Sequence, residues 1–304
     1  MNSIPKMIVI PELGIFSGEA LSPQTGRKAD CLASQMQSTL VPPLSYGGPQ
    51  LEAYGRSLPK DDVGGDLMDL VASGDDITAY VADVSGHGFR AGVLMGMVKT
   101  AVRYGLLLGQ PLTKLFDDIN RVLPTVKEPN MYATLAALRF NGTGQAEYVS
   151  AGHVPLLRYR RSTGEVVRYC VSQLPLGLLA SDGYTSTAIP CEPGDIFALV
   201  TDGVLERGDD PDPDLSLDQI AKLLRNNAGA PLSDLAELTY AQLAPCGRQH
   251  DDETVLLLKV RDKEVGDPQP NVPMPERESL KNPAVLESMW SRLLDDLAHE
   301  LSHE

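Results

Sequence analysis

Ile77-Thr78-Ala79-Tyr80-Val81-Ala82-Asp83-Val84 runs directly into Ser85-Gly86-His87-Gly88-Phe89-Arg90-Ala91, and the class of the fold turns on this junction. The first eight residues are an apolar run of β-formers and predict a strand. The stretch over 89–108 is rich in Ala, Val, Leu and Met and predicts a helix, with Gly92 and Gly96 permitting a close neighbour. Upstream, strands are expected over 51–56 and 67–72, with hairpin-like corners at Gly65-Asp66 and Asp75-Asp76. Downstream a second helix is expected over 112–123. Short strands then follow over 132–140, 145–150, 155–159, 166–171, 184–189 and 196–201, separated by Asn-Gly, Thr-Gly and Pro-Gly turns. Helices near 216–226 and 232–243 precede a last strand over 253–260. A βαβ protein would place a helix after nearly every strand, whereas here strands and helices come in blocks. The expectation is therefore α+β, a sheet sandwich covered by helices.

Four segments follow from the same reading. Residues 1–43 form a leader with Pro5, Pro11 and Pro23, ending in a short helix in which Leu32, Met36 and Leu40 recur until Pro42-Pro43 stops it. The body occupies 44–261. Pro268, Pro270, Pro273 and Pro275 mark an extended linker over 262–275, and 276–304 is expected as an amphipathic helix. Its stripe of Leu286, Met289, Trp290, Leu293, Leu294, Leu297 and Leu301 suits docking on the body, on a second copy or on another protein.

Composition narrows the function. With 304 residues, 42% hydrophobic and 22% charged, the chain can bury a sizeable core. Lys plus Arg is 26 against 41 Asp plus Glu, a formal charge of −15, which has the wrong sign for a phosphate backbone and argues against a nucleic-acid partner. Cys31, Cys170, Cys191 and Cys246 are scattered with no Cys-x-x-Cys pair, which fits a reducing cytoplasm. Neither an export signal nor a membrane-spanning run is read.

Two local motifs fail on their context. Gly86-His87-Gly88-Phe89-Arg90-Ala91 matches a dinucleotide fingerprint, yet Asp83 would put negative charge beside the pyrophosphate and no acidic residue ends a second strand about 20 positions on. His299-Glu300-Leu301-Ser302-His303 has zinc-protease spacing without a third ligand downstream.

A distributed pattern carries more weight. Val63-Gly64-Gly65-Asp66, Ala82-Asp83-Val84-Ser85-Gly86, Val200-Thr201-Asp202-Gly203 and His250-Asp251-Asp252-Glu253-Thr254 each set an Asp at a strand end or a glycine turn. Singly these are ordinary turns. Together they bring ionised carboxylates to one place, which is strongly repulsive unless cations neutralise them. Oxygen-only ligands point to two Mn²⁺ or Mg²⁺ ions, and such a pair suits attack of an activated water on a phosphate ester.

In this order, with Leu40-Val41-Pro42-Pro43-Leu44, Ala133-Thr134-Leu135, Ser150-Ala151-Gly152-His153, Pro175-Leu176-Gly177, Gly194-Asp195 and Glu206, the segments resemble the metal-dependent PPM-type serine/threonine phosphatases, in their bacterial SpoIIE/RsbU-like branch. The resemblance covers about residues 30–261. It implies a four-layer α/β/β/α sandwich and a protein phosphatase that hydrolyses phosphoserine or phosphothreonine on a regulatory protein without a phosphoenzyme. By the same carry-over Asp83 bridges both ions and the Val84 carbonyl joins it. Asp66 serves the second ion directly or through water, and Asp202 and Asp251 hold the first. Asp251 is preferred to Asp252 because it opens the terminal Asp-Asp-x-Thr motif. Leu67-Met68 stands where the branch often has aromatics, and no phosphate-binding Arg is identified beyond Arg56 and Lys60.

His87 is a candidate general acid in a motif spaced differently from the eukaryotic one. His153 reads as a turn residue with a backbone partner, and His250 as a residue that orients Asp251. The resemblance further implies a phosphorylated anti-sigma-factor antagonist as partner, regulation through the helix around 30–41, and either a homodimer through that helix or its docking on its own domain. A catalytically silent, partner-binding pseudophosphatase is the alternative.

Overall fold

The computed structural model describes residues 7–8, 35–73, 76–179, 183–206, 212–243 and 249–261. The linker and C-terminal helix expected over 262–304, His299 and His303 with them, and most of the leader lie outside the described residues. Within the expected short helix, 35–40 is helical (α1) and ends before Pro42-Pro43.

Twelve strands form two six-stranded sheets among the described residues. One has the order β1 (Met7–Ile8), β4 (Leu67–Ser73), β5 (Asp76–Val84), β6 (Ala133–Phe140), β7 (Gln145–Ala151) and β10 (Thr187–Pro190). The other runs β2 (Leu44–Gly47), β3 (Leu51–Leu58), β12 (Glu253–Val260), β11 (Ile196–Val200), β8 (Leu156–Tyr159) and β9 (Val166–Tyr169). Every pairing is antiparallel. Helices α2 (Phe89–Leu107) and α3 (Leu112–Val122) pack on the first sheet. A single turn, α4 (Asp202–Leu205), follows β11, and α5 (Pro213–Asn226) and α6 (Leu232–Leu243) pack on the second sheet.

The apolar runs reflect burial on both faces. In β11, Phe197 and Leu199 join the core between the sheets, while Ile196, Ala198 and Val200 join the cluster under α5 and α6. An alternating pattern would have left one face in water.

The α+β expectation holds, and strands and helices fall close to their expected bounds. One connection differs. The Gly65-Asp66 corner does not close a hairpin: β3 pairs with β2 and β12, whereas β4 pairs with β5. The chain crosses between sheets there, because β12 supplies β3 with a partner from almost 200 residues away. β4 and β5, which flank the expected Asp75-Asp76 corner, do pair, in register from Ser73↔Asp76 to Leu67↔Ala82; Asp75 itself lies outside the described residues. No helix among the described residues is long and apolar enough to cross a membrane.

Candidate metal centre

At one edge of the sandwich β3, β5 and β11 end and β4, β6 and β12 begin, so the loops of both sheets meet there. Asp66 immediately precedes β4, Asp83 is the penultimate residue of β5, Asp202 opens α4 after β11, and Asp251 lies just before β12. The fold thus brings all four sequence-predicted carboxylates to one edge.

Asp66 is 1% exposed, and among the described residues its main influences include no Lys or Arg. Its Oδ2 accepts from Thr201 Oγ1 at 2.7 Å and Thr254 Oγ1 at 2.6 Å. Thr201 Oγ1 in turn accepts the Thr254 amide at 2.9 Å, and Thr254 Oγ1 shares a 2.9 Å hydrogen bond with Ser57 Oγ. Burial and the charges of Asp83 and Asp252 push the Asp66 carboxyl well above the ordinary range, against the pull of both hydroxyls.

Asp83 shows the same conflict. Burial first, then Asp202, Asp251, Asp252 and Glu206, raise it to about 8. Burial, Glu206 and Asp251 also raise Asp202, while the Gly203 amide lowers it. The Val84 carbonyl faces Gly65, where a Cβ would lie 2.6 Å from the oxygen. Only glycine lets the segment before β4 approach the end of β5 this closely.

The two adjacent aspartates have different environments. Asp252 is 3% exposed and accepts the amides of Lys60 at 2.7 Å and Gly65 at 2.6 Å, so its oxygens tie down the loop between β3 and β4. Asp251 is exposed, and among the described residues its Oδ1 accepts the Asp252 amide at 2.9 Å. Sequence reasoning ranked this pair by motif position and missed the tying role of Asp252, as well as Thr201 and Thr254 as the groups that orient Asp66.

The histidines separate. His87 is exposed in the turn before α2, with Nδ1 2.7 Å from Asp61 Oδ2. His153 Nε2 donates to the Val200 carbonyl at 3.0 Å and Nδ1 accepts from Thr134 Oγ1 at 2.7 Å. Burial lowers its pKa to about 4, so near pH 7 it is neutral with Nδ1 as acceptor, and it bridges β6 of one sheet to β11 of the other. His250 is exposed. Arg56 points to α6, with its guanidinium 2.5 Å from Glu237 and over the Tyr240 ring. The Lys60 side chain is exposed.

The donor set fits divalent cations: oxygen atoms only, and several carboxylates buried with raised proton affinity whose main influences, among the described residues, include no Lys or Arg. Among the described residues no three His, Cys, Asp or Glu side chains already converge tightly enough to hold an ion by themselves. Hard cations of this class keep several waters and accept backbone carbonyls, so a looser protein shell suits them.

A family model described as Stage II sporulation protein E (SpoIIE) matches residues 73–261. The chain is 27% identical over 238 residues to phosphoserine phosphatase RsbU of Bacillus subtilis (strain 168), covering 75% of this chain and 69% of that one. The SiaA-PP2C domain of Pseudomonas aeruginosa superposes with a TM-score of 0.65 at 22% identity, over 77% of this chain and 96% of that one. The catalytic domain of the serine/threonine phosphatase PstP, solved in complex with two manganese ions, superposes with a TM-score of 0.52 at 19% identity, over 70% of this chain and 99% of that one. With the match to the family model over residues 73–261, this chain belongs to the SpoIIE family, a bacterial branch of the PPM-type phosphatases.

Proposed function

We propose that this protein hydrolyses phosphoserine or phosphothreonine on a regulatory phosphoprotein in the cytoplasm. The observation that carries the proposal is the acidic edge itself. Asp66, Asp83 and Asp202 crowd together at raised proton affinity, and among the described residues no Lys or Arg is among the main influences on them, an arrangement that supports cation binding there. Identity to a phosphoserine phosphatase supports the reaction and the phosphoserine substrate.

Asp83 and the Val84 carbonyl would hold both ions, Asp202 and Asp251 the first, and Asp66 the second, directly or through water. Two Mn²⁺ or Mg²⁺ ions would neutralise the carboxylates, lower the pKa of a water and offset charge on the phosphoryl oxygens. Thr201 and Thr254 orient Asp66 by bonding one oxygen and leaving the other available. Asp252 fixes the loop that leads to Asp66. His87 stands three residues beyond Val84 and supplies the proton for the departing hydroxyl.

The regulatory substrate is assigned as a phosphorylated antagonist of an anti-sigma factor, with α1 as the element through which the site is controlled or two copies pair. Gln37 of α1 accepts the Gly64 amide at 3.1 Å, two residues before Asp66, which supports that link. The binding-only alternative has no observation in its favour, since every carboxylate expected as a ligand is present.

The test is turnover of a generic aryl phosphate by the full chain with Mn²⁺, Mg²⁺ or chelator. Metal-dependent turnover that falls about a thousandfold or more in Asp83→Asn is expected. Undiminished activity in that variant overturns the assignment.

A further inference from the structure

We infer that Asp61 is a positioning residue for His87, holding its ring so that Nε2 gives the proton to the leaving serine or threonine oxygen. The inference rests on the phosphatase reading above and adds a residue to it.

Asp61 Oδ2 lies 2.7 Å from His87 Nδ1. An ionised carboxylate only accepts, so Nδ1 carries the hydrogen and Nε2 is the nitrogen free to exchange a proton. The two side chains come from segments that are each anchored. Asp252 holds the Asp61 loop through the Lys60 and Gly65 amides, and Gln37 holds it through Gly64. The His87 turn is fixed by Ser85, whose amide donates to the Tyr132 carbonyl at 3.0 Å and whose Oγ accepts the Tyr132 amide at 2.9 Å. Gly86 and Gly88 flank the histidine at φ 90° and 76°, conformations that favour glycine, and so define where its ring emerges.

These two segments also carry the proposed ligands. The Asp61 loop ends at Asp66, and the His87 turn begins at Asp83-Val84. The hydrogen bond therefore spans the same two chain segments that would grip the ions, at the exposed rim where a phosphoprotein must enter. Both partners are substantially exposed, at 60% and 44% of their side chains, and such a pair contributes little to folding. Orientation of the imidazole is the consequence it does have.

Water attacks phosphorus in line, and the new P–O bond forms as the bond to the side-chain oxygen breaks. The Nε2 proton passes to that oxygen, leaving a neutral imidazole. The proton lost by the water restores the imidazole through solvent, so phosphoserine and water become serine and inorganic phosphate. An alkoxide depends on this proton far more than a nitrophenolate does.

The full chain with Mn²⁺ is assayed on a phosphoserine peptide and on p-nitrophenyl phosphate. His87→Gln is expected to lose about a hundredfold and Asp61→Asn about tenfold in kcat on the peptide, with losses on the aryl ester about tenfold smaller in each case. Asp61→Glu restores part of the peptide activity, and Asp61→Asn adds little to His87→Gln in the double variant. Equal losses on both substrates, or independent losses in the double variant, would overturn the inference. Loss of fold is read separately from the melting temperature. A wild-type protein inactive on both substrates removes the phosphatase reading itself, and the inference with it.

Discussion

Asp195 and Asp66 are two buried carboxylates at opposite ends of β11, one immediately before the strand and the other bonded to Thr201 just after it. Both are almost wholly excluded from solvent. Asp195 receives Arg158 through Nε at 3.1 Å and through the terminal nitrogen at 2.6 Å, together with the Arg161 and Glu192 amides. Asp66 receives two hydroxyls and faces further carboxylates. Asp69, three residues along, repeats the first solution: Arg103 grips it at 2.6 and 2.8 Å and the Tyr80 hydroxyl at 2.7 Å. Among the described residues the protein thus compensates buried aspartates elsewhere with its own cations, whereas Asp66 is given only hydroxyl partners. A buried charge without a partner is costly, which supports the proposal that this edge takes up a cation from solution.

The largest effect should come from making the Asp195 end resemble the Asp66 end. Arg158→Met is expected to cost about 3–5 kcal/mol by leaving a buried charge unpaired, read from denaturant unfolding; a cost below about 1 kcal/mol would break the comparison. The converse is to complete the Asp66 end. Mn²⁺ or Mg²⁺ at a hundredfold over its dissociation constant should stabilise the wild type by about 2.7 kcal/mol. In a thermal-shift titration Asp83→Asn should lose most of that gain, and an equal gain in the variant would place the cation elsewhere.

Acid sharpens the contrast through His153, which joins the two sheets near this edge. Its folded pKa of about 4 lies below the ordinary value near 6.5, so the unfolded chain takes up the proton first. The stabilisation from a neutral His153 is intact above about pH 6.5, falls as the pH drops toward 4, and amounts to about 2–3 kcal/mol for this partly accessible ring. Unfolding at pH 7 and pH 4 should show a drop larger by that amount in wild type than in His153→Gln; an equal drop would rule out the bridge as the acid-sensitive element. The smallest change is Thr254→Val, which removes one of the two hydroxyls on Asp66. It should cost about 1 kcal/mol and weaken cation binding in the same titration, and unchanged binding would show that Asp66 is held without it.

Much of the fold was legible because short-range patterns carried it. The β5 to α2 junction, the Asn141-Gly142 turn between β6 and β7, and the runs of β11 and β12 all lie where the sequence predicts them. The edge strand β2 was missed, having only four residues with an exposed and half-buried alternation. The single turn α4 was missed because it follows β11 without a break. The crossover at Gly65-Asp66 was read as a hairpin, since a glycine corner looks the same whether the next strand pairs beside it or in the other sheet.

For the site, the types of residue were legible and their partners were not. Four Asp-bearing turns in a fixed order were enough to suggest divalent cations and phosphate esters, since carboxylates at strand ends are a local property of the chain. Sequence could not say that Asp252 spends its oxygens on the Lys60 and Gly65 amides while Asp251 stays open. Nor could it say that His87 meets Asp61, or that Arg158 rather than a bound ion answers Asp195. Local periodicity and turn chemistry, written in neighbouring residues, determined the elements and the donor chemistry. Which charges are paired was decided only when β12 entered between β3 and β11, because the energy of a buried carboxylate depends on groups that the chain brings close from far away.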